Sequence, residues 1–118
     1  MAEDAFERAL EQSDEVELTT MGRRSGAAIT VPVWFAREGE RLYLVPVHGS
    51  ESDWYKNALR TPAVHLAVGG ARLDTRASAV TEQPEVQRIL DRFRAKYGAD
   101  DVANYYPRQD VAVLVPLR

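Results

Sequence analysis

The chain has 118 residues, of which 15 are basic and 18 acidic, so its net charge is −3. This length fits a single domain, residues 1–118, that buries roughly two thirds of its unfolded surface. Because the chain has no basic cluster beyond one pair of arginines, the charge argues against nucleic acid as a partner. The lack of cysteine excludes disulfides, thiolate metal sites and a cysteine nucleophile.

The first fifteen residues, MAEDAFERALEQSDE, are acidic and lack the basic start and apolar run of a signal peptide. No stretch approaches the about 18 uninterrupted apolar residues that a membrane-spanning helix needs. We therefore expect a cytoplasmic protein without a membrane span.

Hydrophobic periodicity predicts a mainly β (α+β) fold. Runs rich in β-branched and aromatic residues predict six strands, at about Val16–Met21, Ile29–Ala36, Arg41–Val47, Ala63–Val68, Ala71–Val80 and Val111–Leu117. The strands do not alternate with helices in βαβ units. We therefore expect an antiparallel barrel with helices packed on its outside.

Three helices are predicted around this barrel. Residues 3–12 have the apolar spacing of a short amphipathic helix. Ser50 or Ser52 is expected to cap a second short helix. A longer helix is expected after Thr81 as its N-cap, ending at Gly98.

Two segments leave questions open. Residues 100–109 carry no periodic pattern and are expected to be irregular. The third strand, Arg41–Val47, is apolar on both faces and must therefore be covered twice. The second cover is either the longer helix of the same chain or a second copy in a homodimer.

The connection between the first two strands, residues 21–26 (MGRRSG), is the most informative segment. Gly22 and Gly26 free the backbone for positive φ, which can turn successive N–H groups toward one point. Two guanidinium groups and the Ser25 hydroxyl add donors suited to a phosphate or carboxylate. The segment predicts an anion-binding turn. The alternative is a solvated turn whose arginines only keep the hairpin soluble.

Four pieces follow one another between about residues 16 and 68: LTTMGRRSG, VPVWF, LYLVPVHGS and DWYKNALRTP. In this order they resemble the deazaflavin (F420)-dependent nitroreductase family, whose members are split-barrel reductases related to the FMN-binding, pyridoxamine-phosphate-oxidase-like proteins. The chain is also similar to an uncharacterised group of small split-barrel proteins. The resemblance implies a six-stranded antiparallel split β-barrel with a short N-terminal helix, a short helix after strand three and a longer helix before the last strand.

The resemblance also implies where coenzyme F420, or FMN as the second choice, binds. The phosphate-bearing tail falls on the basic turn, and the ring lies along the segment before the tryptophan helix. The cofactor-binding candidates are therefore Arg23, Arg24, Ser25, Gly26, His48, Gly49, Ser50 and Asn57. Because Glu51 and Asp53 repel an anion, we expect the phosphate at the arginines, away from the start of that helix.

Three aromatic residues are candidates for the substrate pocket. Tyr105 and Tyr106 match family tyrosines that line the substrate side, and Trp34 is suited to wall the ring or the substrate. The catalytic candidates are Tyr106 and His48, because a phenol or an imidazole can donate a proton. The alternatives are a core tryptophan, two rings that cover the barrel mouth and a structural histidine. No histidine has a second ligand at metal-binding spacing, so we expect no metal.

We therefore expect an oxidoreductase, dependent on F420 or FMN, that transfers hydride to an electron-poor small acceptor of the quinone, nitro or enone type. One alternative is a non-catalytic flavin, haem or lipid carrier, because Ile29 stands where the family usually has a basic residue. Another is a structural module that binds a partner through an exposed apolar patch.

Overall fold

The computed structural model describes residues 2–117, with side chains from residue 5 onward. Within this range the elements are α1 (Ala2–Glu11), β1 (Glu15–Met21), β2 (Ala28–Glu38), β3 (Arg41–Leu44), α2 (Asp53–Arg60), β4 (Ala63–Val68), β5 (Ala71–Arg76), β6 (Ser78–Val80), α3 (Gln83–Tyr97), α4 (Ala99–Tyr105) and β7 (Ala112–Pro116). The mainly β prediction is confirmed. None of the described helices is long and apolar enough to cross a membrane.

All described strands form one antiparallel sheet in the order β5-β4-β1-β2-β3-β7-β6. β5 and β6 occupy the two edges although they are consecutive in the chain. The sheet therefore curls until its edges approach each other, as in a split barrel. Across this seam, the Thr75 hydroxyl donates a hydrogen bond to the carbonyl of Pro116 (2.7 Å).

The described range holds seven strands rather than the six predicted, because the strand expected at Ala71–Val80 is broken at Ala77. The N–H of Ala77 donates to the carbonyl of Pro62 (2.8 Å) instead of to a neighbouring strand. Before Ala77 the chain pairs with β4, and after it with β7. The alternation of side chains could not signal this break, because the partners that cause it are distant in sequence.

Residues 100–109, which we expected to be irregular, lie largely in α4. Gly98, with φ of 97°, ends α3 as predicted and directly precedes α4. Val102 is fully buried on the inner side of this short helix. Asp100 and Asp101 lie in its first turn, where carboxylates oppose the positive end of the helix dipole.

Two element boundaries also differ from the prediction. β3 ends at Leu44 rather than Val47, close to Pro46, which cannot donate a ladder hydrogen bond. The N-cap of α3 is Glu82 rather than Thr81, and no side chain caps this helix.

β3 is buried on both faces, and each face belongs to a different core. Leu42 and Leu44 lie inside the barrel with α1, α2 and the neighbouring strands. Tyr43, on the outer face, and Val45, just after the strand, pack against α3 and α4, where Phe93 is fully buried. The second cover of β3 is therefore the longer helix of the same chain, and the intramolecular alternative is confirmed.

The C-terminal end of α3 closes the end of the β1–β2 ladder. The N–H of Phe35 donates to the Tyr97 hydroxyl (3.2 Å), which in turn donates to the carbonyl of Asp14. The phenol thus bridges two main-chain groups just beyond the last paired residues of β1 and β2. Lys96 Nζ donates to the carbonyl of Phe35 (2.9 Å), and burial lowers the pKa of this amine to about 8.

We expect Tyr97→Phe to lower the free energy of unfolding by about 1–3 kcal/mol, because it removes the bridge between two main-chain groups. Urea denaturation measures the change. Tyr105→Phe is the matched control, since the Tyr105 hydroxyl has no hydrogen bond to another described residue. An equal loss of stability in both variants would contradict the role given to the Tyr97 hydroxyl.

Candidate functional site

The turn between β1 and β2 is closed by its own backbone. The N–H of Gly22 donates to the carbonyl of Ala27 (2.8 Å), and the N–H of Gly26 donates to the carbonyl of Gly22 (2.8 Å). Gly26 has the expected positive φ, 72°, but Gly22 does not, so that part of the prediction was wrong. The constraint at Gly22 is space, because a Cβ there would lie 2.9 Å from Ser25 Oγ and 3.2 Å from the side chain of Ile29.

The two arginines of the turn have different surroundings. The guanidinium of Arg23 donates to Asn57 Oδ1 (2.8 Å) and to Asp53 Oδ1 (3.3 Å), and its side chain is 26% exposed. Arg24 is exposed and makes no hydrogen bond or ion pair with any other described residue. Arg23 therefore fastens the turn to α2, whereas the charge of Arg24 is available to an anion.

Asn57 lies at the centre of the junction between the turn and α2. Its side chain is only 2% exposed, and its Oδ1 accepts both the guanidinium and the backbone N–H of Arg23, the latter at 3.2 Å. Its amide nitrogen is 3.5 Å from the hydroxyl of Thr20. A buried amide with these partners positions the turn rather than presenting its own polar atoms to solvent.

A cavity of about 280 Å³ opens beside the turn, and we call it the turn cavity. It is lined by Gly22, Arg23, Arg24, Ser25, Ile29, Asp53 and Asn57. Ser25 Oγ accepts the N–H of Ala27 (3.1 Å), which leaves the hydroxyl hydrogen to donate. This hydroxyl and Arg24 give the cavity two donors suited to a phosphate.

A second cavity, of about 200 Å³, lies between α4, β2 and the start of α2, and we call it the aromatic cavity. It is lined by Val31, Pro32, Val33, Trp34, Val45, Val47, His48, Ser52, Asp53, Trp54, Tyr105 and Tyr106. Most of these side chains are apolar or aromatic, as in sites that hold a flat ring. The two cavities adjoin, because Asp53 lines both and the neighbouring β2 residues Ile29 and Val31 each line one.

Trp34 belongs to a cluster of stacked rings at the wall of the aromatic cavity. Its ring centroid is 4.1 Å from that of Tyr97, at an angle of 12°, and 4.2 Å from that of Tyr105, at 28°. Tyr106 meets it edge-on at 5.9 Å and 83°. The fold thus brings the three predicted substrate-pocket residues, Trp34, Tyr105 and Tyr106, to one cavity.

The hydroxyl of Tyr106 is buried without a partner. The residue is 1% exposed, and among the described side chains its hydroxyl oxygen is the one buried polar atom that lacks a hydrogen bond. Burial, together with Tyr105 and Tyr97, raises the pKa of this phenol far above its usual value. It therefore keeps its proton. An unsatisfied buried donor costs about 1–3 kcal/mol, and a hydrogen-bond acceptor that reaches this hydroxyl removes that cost.

His48 is the exposed member of the predicted ring segment and lines the aromatic cavity. The backbone N–H of His48 donates to the hydroxyl of Ser52 (2.8 Å). Ser52 precedes α2, as predicted for a cap, but its side chain makes no capping hydrogen bond to that helix. The serine instead orders the loop that carries His48.

Gly49 and Ser50 face a different partner, the carboxylate of Asp110. Ser50 donates to it through its N–H (3.0 Å) and its hydroxyl (2.6 Å). Gly49 has φ of 57°, and a Cβ there would lie 2.2 Å from Asp110 Oδ1. Neither residue is among those that line the two cavities. In this structure they tie the loop that carries His48 to the segment before β7.

Asp110 is a residue that the sequence did not single out. Its carbonyl accepts the side-chain amide of Gln83 (3.0 Å), so it also connects to the start of α3. The available signal was weak: a lone acidic residue immediately before a buried strand. Its partner Ser50 is 60 positions away, which no local pattern reveals.

The curled antiparallel sheet, whose two edge strands are consecutive in the chain, defines the fold class as a split barrel. A family model refines that class. The chain belongs to the F420H(2)-dependent quinone reductase family, whose model matches residues 2–117. No curated protein sequence matches the chain.

Solved structures share the fold. One, described as an F420-H2 dependent reductase (FDR-A), is 21% identical with a TM-score of 0.67, covering 86% of this chain and 93% of its own. A putative pyridoxamine 5'-phosphate oxidase from Listeria innocua is 21% identical with a TM-score of 0.70, covering 98% and 92%. A third, described as a domain-swapped dimer, is 22% identical with a TM-score of 0.68, covering 95% and 94%.

Family membership establishes the kind of activity. The protein is an F420-dependent oxidoreductase, and coenzyme F420 rather than FMN is its cofactor. The non-catalytic carrier is not favoured. The residues present fit such a coenzyme, because a mostly apolar and aromatic cavity adjoins a turn with an unpaired guanidinium.

We expect Asp110 to make stability depend on pH. Burial by itself would raise the pKa of its carboxyl, but hydrogen bonds from Ser50 and Arg108 outweigh this and lower it. A lowered folded pKa contributes stability that is complete above the unfolded value, near 3.8, and is lost as the pH falls through the folded value.

Free energies of unfolding measured from neutral pH down through the acid range should therefore fall less steeply in Asp110→Asn than in the natural chain. Asp100→Asn, at the exposed start of α4, is the matched control. Identical acid profiles for Asp110→Asn and the natural chain would contradict the assignment.

Proposed function

We propose that the chain binds reduced coenzyme F420 across the two cavities and reduces a quinone-type acceptor in the aromatic cavity. The observation that carries this proposal is the adjacency of the aromatic cavity and the turn cavity. An apolar slot next to a basic turn matches a ligand with a flat ring at one end and a phosphate further along.

The turn cavity is assigned to the phosphate. Arg24 and the Ser25 hydroxyl are the groups that contact it, whereas Gly26, whose N–H is bonded to the carbonyl of Gly22, shapes the turn. Arg23 and Asn57 act by holding the turn on α2, since their polar atoms are already bonded to each other. Ile29, which stands in the place of a further basic residue, lines the same cavity. The positive charge of the cavity therefore comes from the two arginines alone among its lining residues.

The aromatic cavity is assigned to the ring and the acceptor. Reduced F420 supplies a hydride to the acceptor when both are bound. Trp34, stacked between Tyr97 and Tyr105, supports the wall of the cavity, and the partly exposed ring of Tyr105 offers a surface for an aromatic acceptor. We assign the Tyr106 hydroxyl, which has no partner in the ligand-free protein, as the donor to the carbonyl oxygen of the bound acceptor. Because Tyr106 keeps its proton, we assign the proton that completes the reduction to His48, which lines the same cavity.

The test is a turnover assay with purified protein, reduced F420 and menadione as the acceptor, followed by the visible absorbance of oxidised F420. We expect catalytic oxidation of the coenzyme that depends on both the protein and the quinone. Tight coenzyme binding without any turnover of quinone, nitro or enone acceptors would contradict the proposal. FMN in place of F420 should not support turnover.

Arg24→Ala in the same experiment should weaken coenzyme binding by about 1.5–3 kcal/mol, the usual value of a charged hydrogen bond, and leave the free energy of unfolding unchanged. Arg23→Ala should reduce both quantities, because it also detaches the turn from α2. Arg8→Ala, at an exposed position of α1, is the matched control. If Arg24→Ala left the coenzyme affinity unchanged, the assignment of the phosphate to the turn cavity would be contradicted.

We further propose a homodimer through the outer face of β1, β4 and β5. None of the described helices packs on this face, which forms a groove of about 590 Å³. Glu17 and Arg72 lie in one row of the sheet, on either side of Ala67. A two-fold axis along β4 places each Glu17 opposite the partner's Arg72, so the face is complementary to itself.

Light scattering of the charge-swapped variants tests the homodimer. Glu17→Arg alone and Arg72→Glu alone should each shift the protein toward monomer, and the double variant should restore the dimer. A monomeric natural chain, or a double variant that forms no more dimer than the single variants, would contradict this interface.

The cytoplasmic location of the protein stays a prediction.

A further inference from the structure

Asp53 occupies the point where the turn cavity meets the aromatic cavity. It is the one residue common to the linings of both. Its side chain is 88% exposed even though Oδ1 accepts the Arg23 guanidinium at 3.3 Å. Among the described residues, none donates a hydrogen bond to its second oxygen, Oδ2. A carboxylate oxygen is thus left open at the junction.

The charges along the path between the cavities occur in a definite order. The aromatic cavity is mostly apolar, Asp53 follows with an open acceptor, and Arg24 lies beyond it with a free cation. A negative group on the ligand is repelled at Asp53 and attracted at Arg24. A ligand that spans both cavities therefore fits best if it has hydrogen-bond donors, without negative charge, between its ring and its anionic group.

We propose that Asp53 Oδ2 accepts hydrogen bonds from the hydroxyl groups of the polyol that joins the ring to the phosphate in a flavin-type coenzyme. This inference rests on the proposed placement of the ring and the phosphate in the two cavities. It makes Asp53 a binding residue that sets the order of ring, polyol and phosphate. Repulsion of the phosphate, which the sequence suggested for this carboxylate, is then only half of its role.

Fluorescence titration of the ligand-free protein tests the inference with three ligands: coenzyme F420, its fragment with ring and polyol but no phosphate, and a ring fragment without the polyol. Each ligand is titrated into the natural chain, Asp53→Ala, Asp53→Asn and Arg24→Ala. Asp100→Ala removes an exposed carboxylate from the first turn of another helix and is the matched control. Circular dichroism establishes that each variant is folded.

We expect Asp53→Ala to raise the dissociation constant of the polyol fragment about tenfold. The dissociation constant of the ring fragment should stay within about twofold of its value for the natural chain. Asp53→Asn, which keeps an acceptor oxygen, should lose less. Arg24→Ala should weaken the binding of the coenzyme but not that of the polyol fragment, since the fragment has no phosphate. The phosphate-free fragment is decisive, because release of Arg23 in Asp53→Ala can strengthen phosphate binding and mask a lost hydrogen bond.

An unchanged affinity of Asp53→Ala for the polyol fragment would overturn the inference and leave the proposed function intact. The inference would also be overturned if Asp53→Ala bound the coenzyme more tightly and the polyol fragment with unchanged affinity, because Asp53 would then act only as a repelling charge. Failure of the natural chain to bind coenzyme F420 at all would reject the proposed function, and the inference with it.

Discussion

The site depends on the hydrogen bonds that Asn57 accepts from Arg23. One buried amide oxygen receives both the backbone N–H and the guanidinium of that arginine, and little water can replace either donor because Asn57 is nearly inaccessible. The turn is therefore held at a fixed position against the start of α2. The turn cavity follows from this contact, since Arg23 and Asn57 both line it. Asp53, four residues before Asn57 on the same helix, borders both cavities.

A second requirement is the covering of β3 on both faces. Its inner face belongs to the barrel core, and its outer face needs α3 and α4. Covering the outer face brings Tyr97, Tyr105 and Tyr106 to Trp34 on β2. The aromatic cavity is thus a result of how the helices bury the outer face of the sheet. The side chains that stabilise this second core also form the wall of the site.

Local patterns predicted the strands and the basic turn, because period-two alternation and glycine-flanked arginines are visible in short windows. The same patterns missed α4, the break at Ala77 and the role of Asp110. The last two depend on a distant partner: Ala77 on Pro62, and Asp110 on Ser50. Arg23 and Arg24 are equivalent in sequence, and only the position of Asn57 distinguishes the arginine that holds the turn from the one that faces solvent.

The break at Ala77 has a consequence for how copies of the chain can associate. Because β5 and β6 continue into each other, the two ends of the sheet order are joined by the chain itself. An open sheet exposes a row of unpaired N–H and C=O groups that templates amyloid-like strand addition. Here the two edge strands, β5 and β6, are only six and three residues long, and such short edges limit strand addition between copies of the chain.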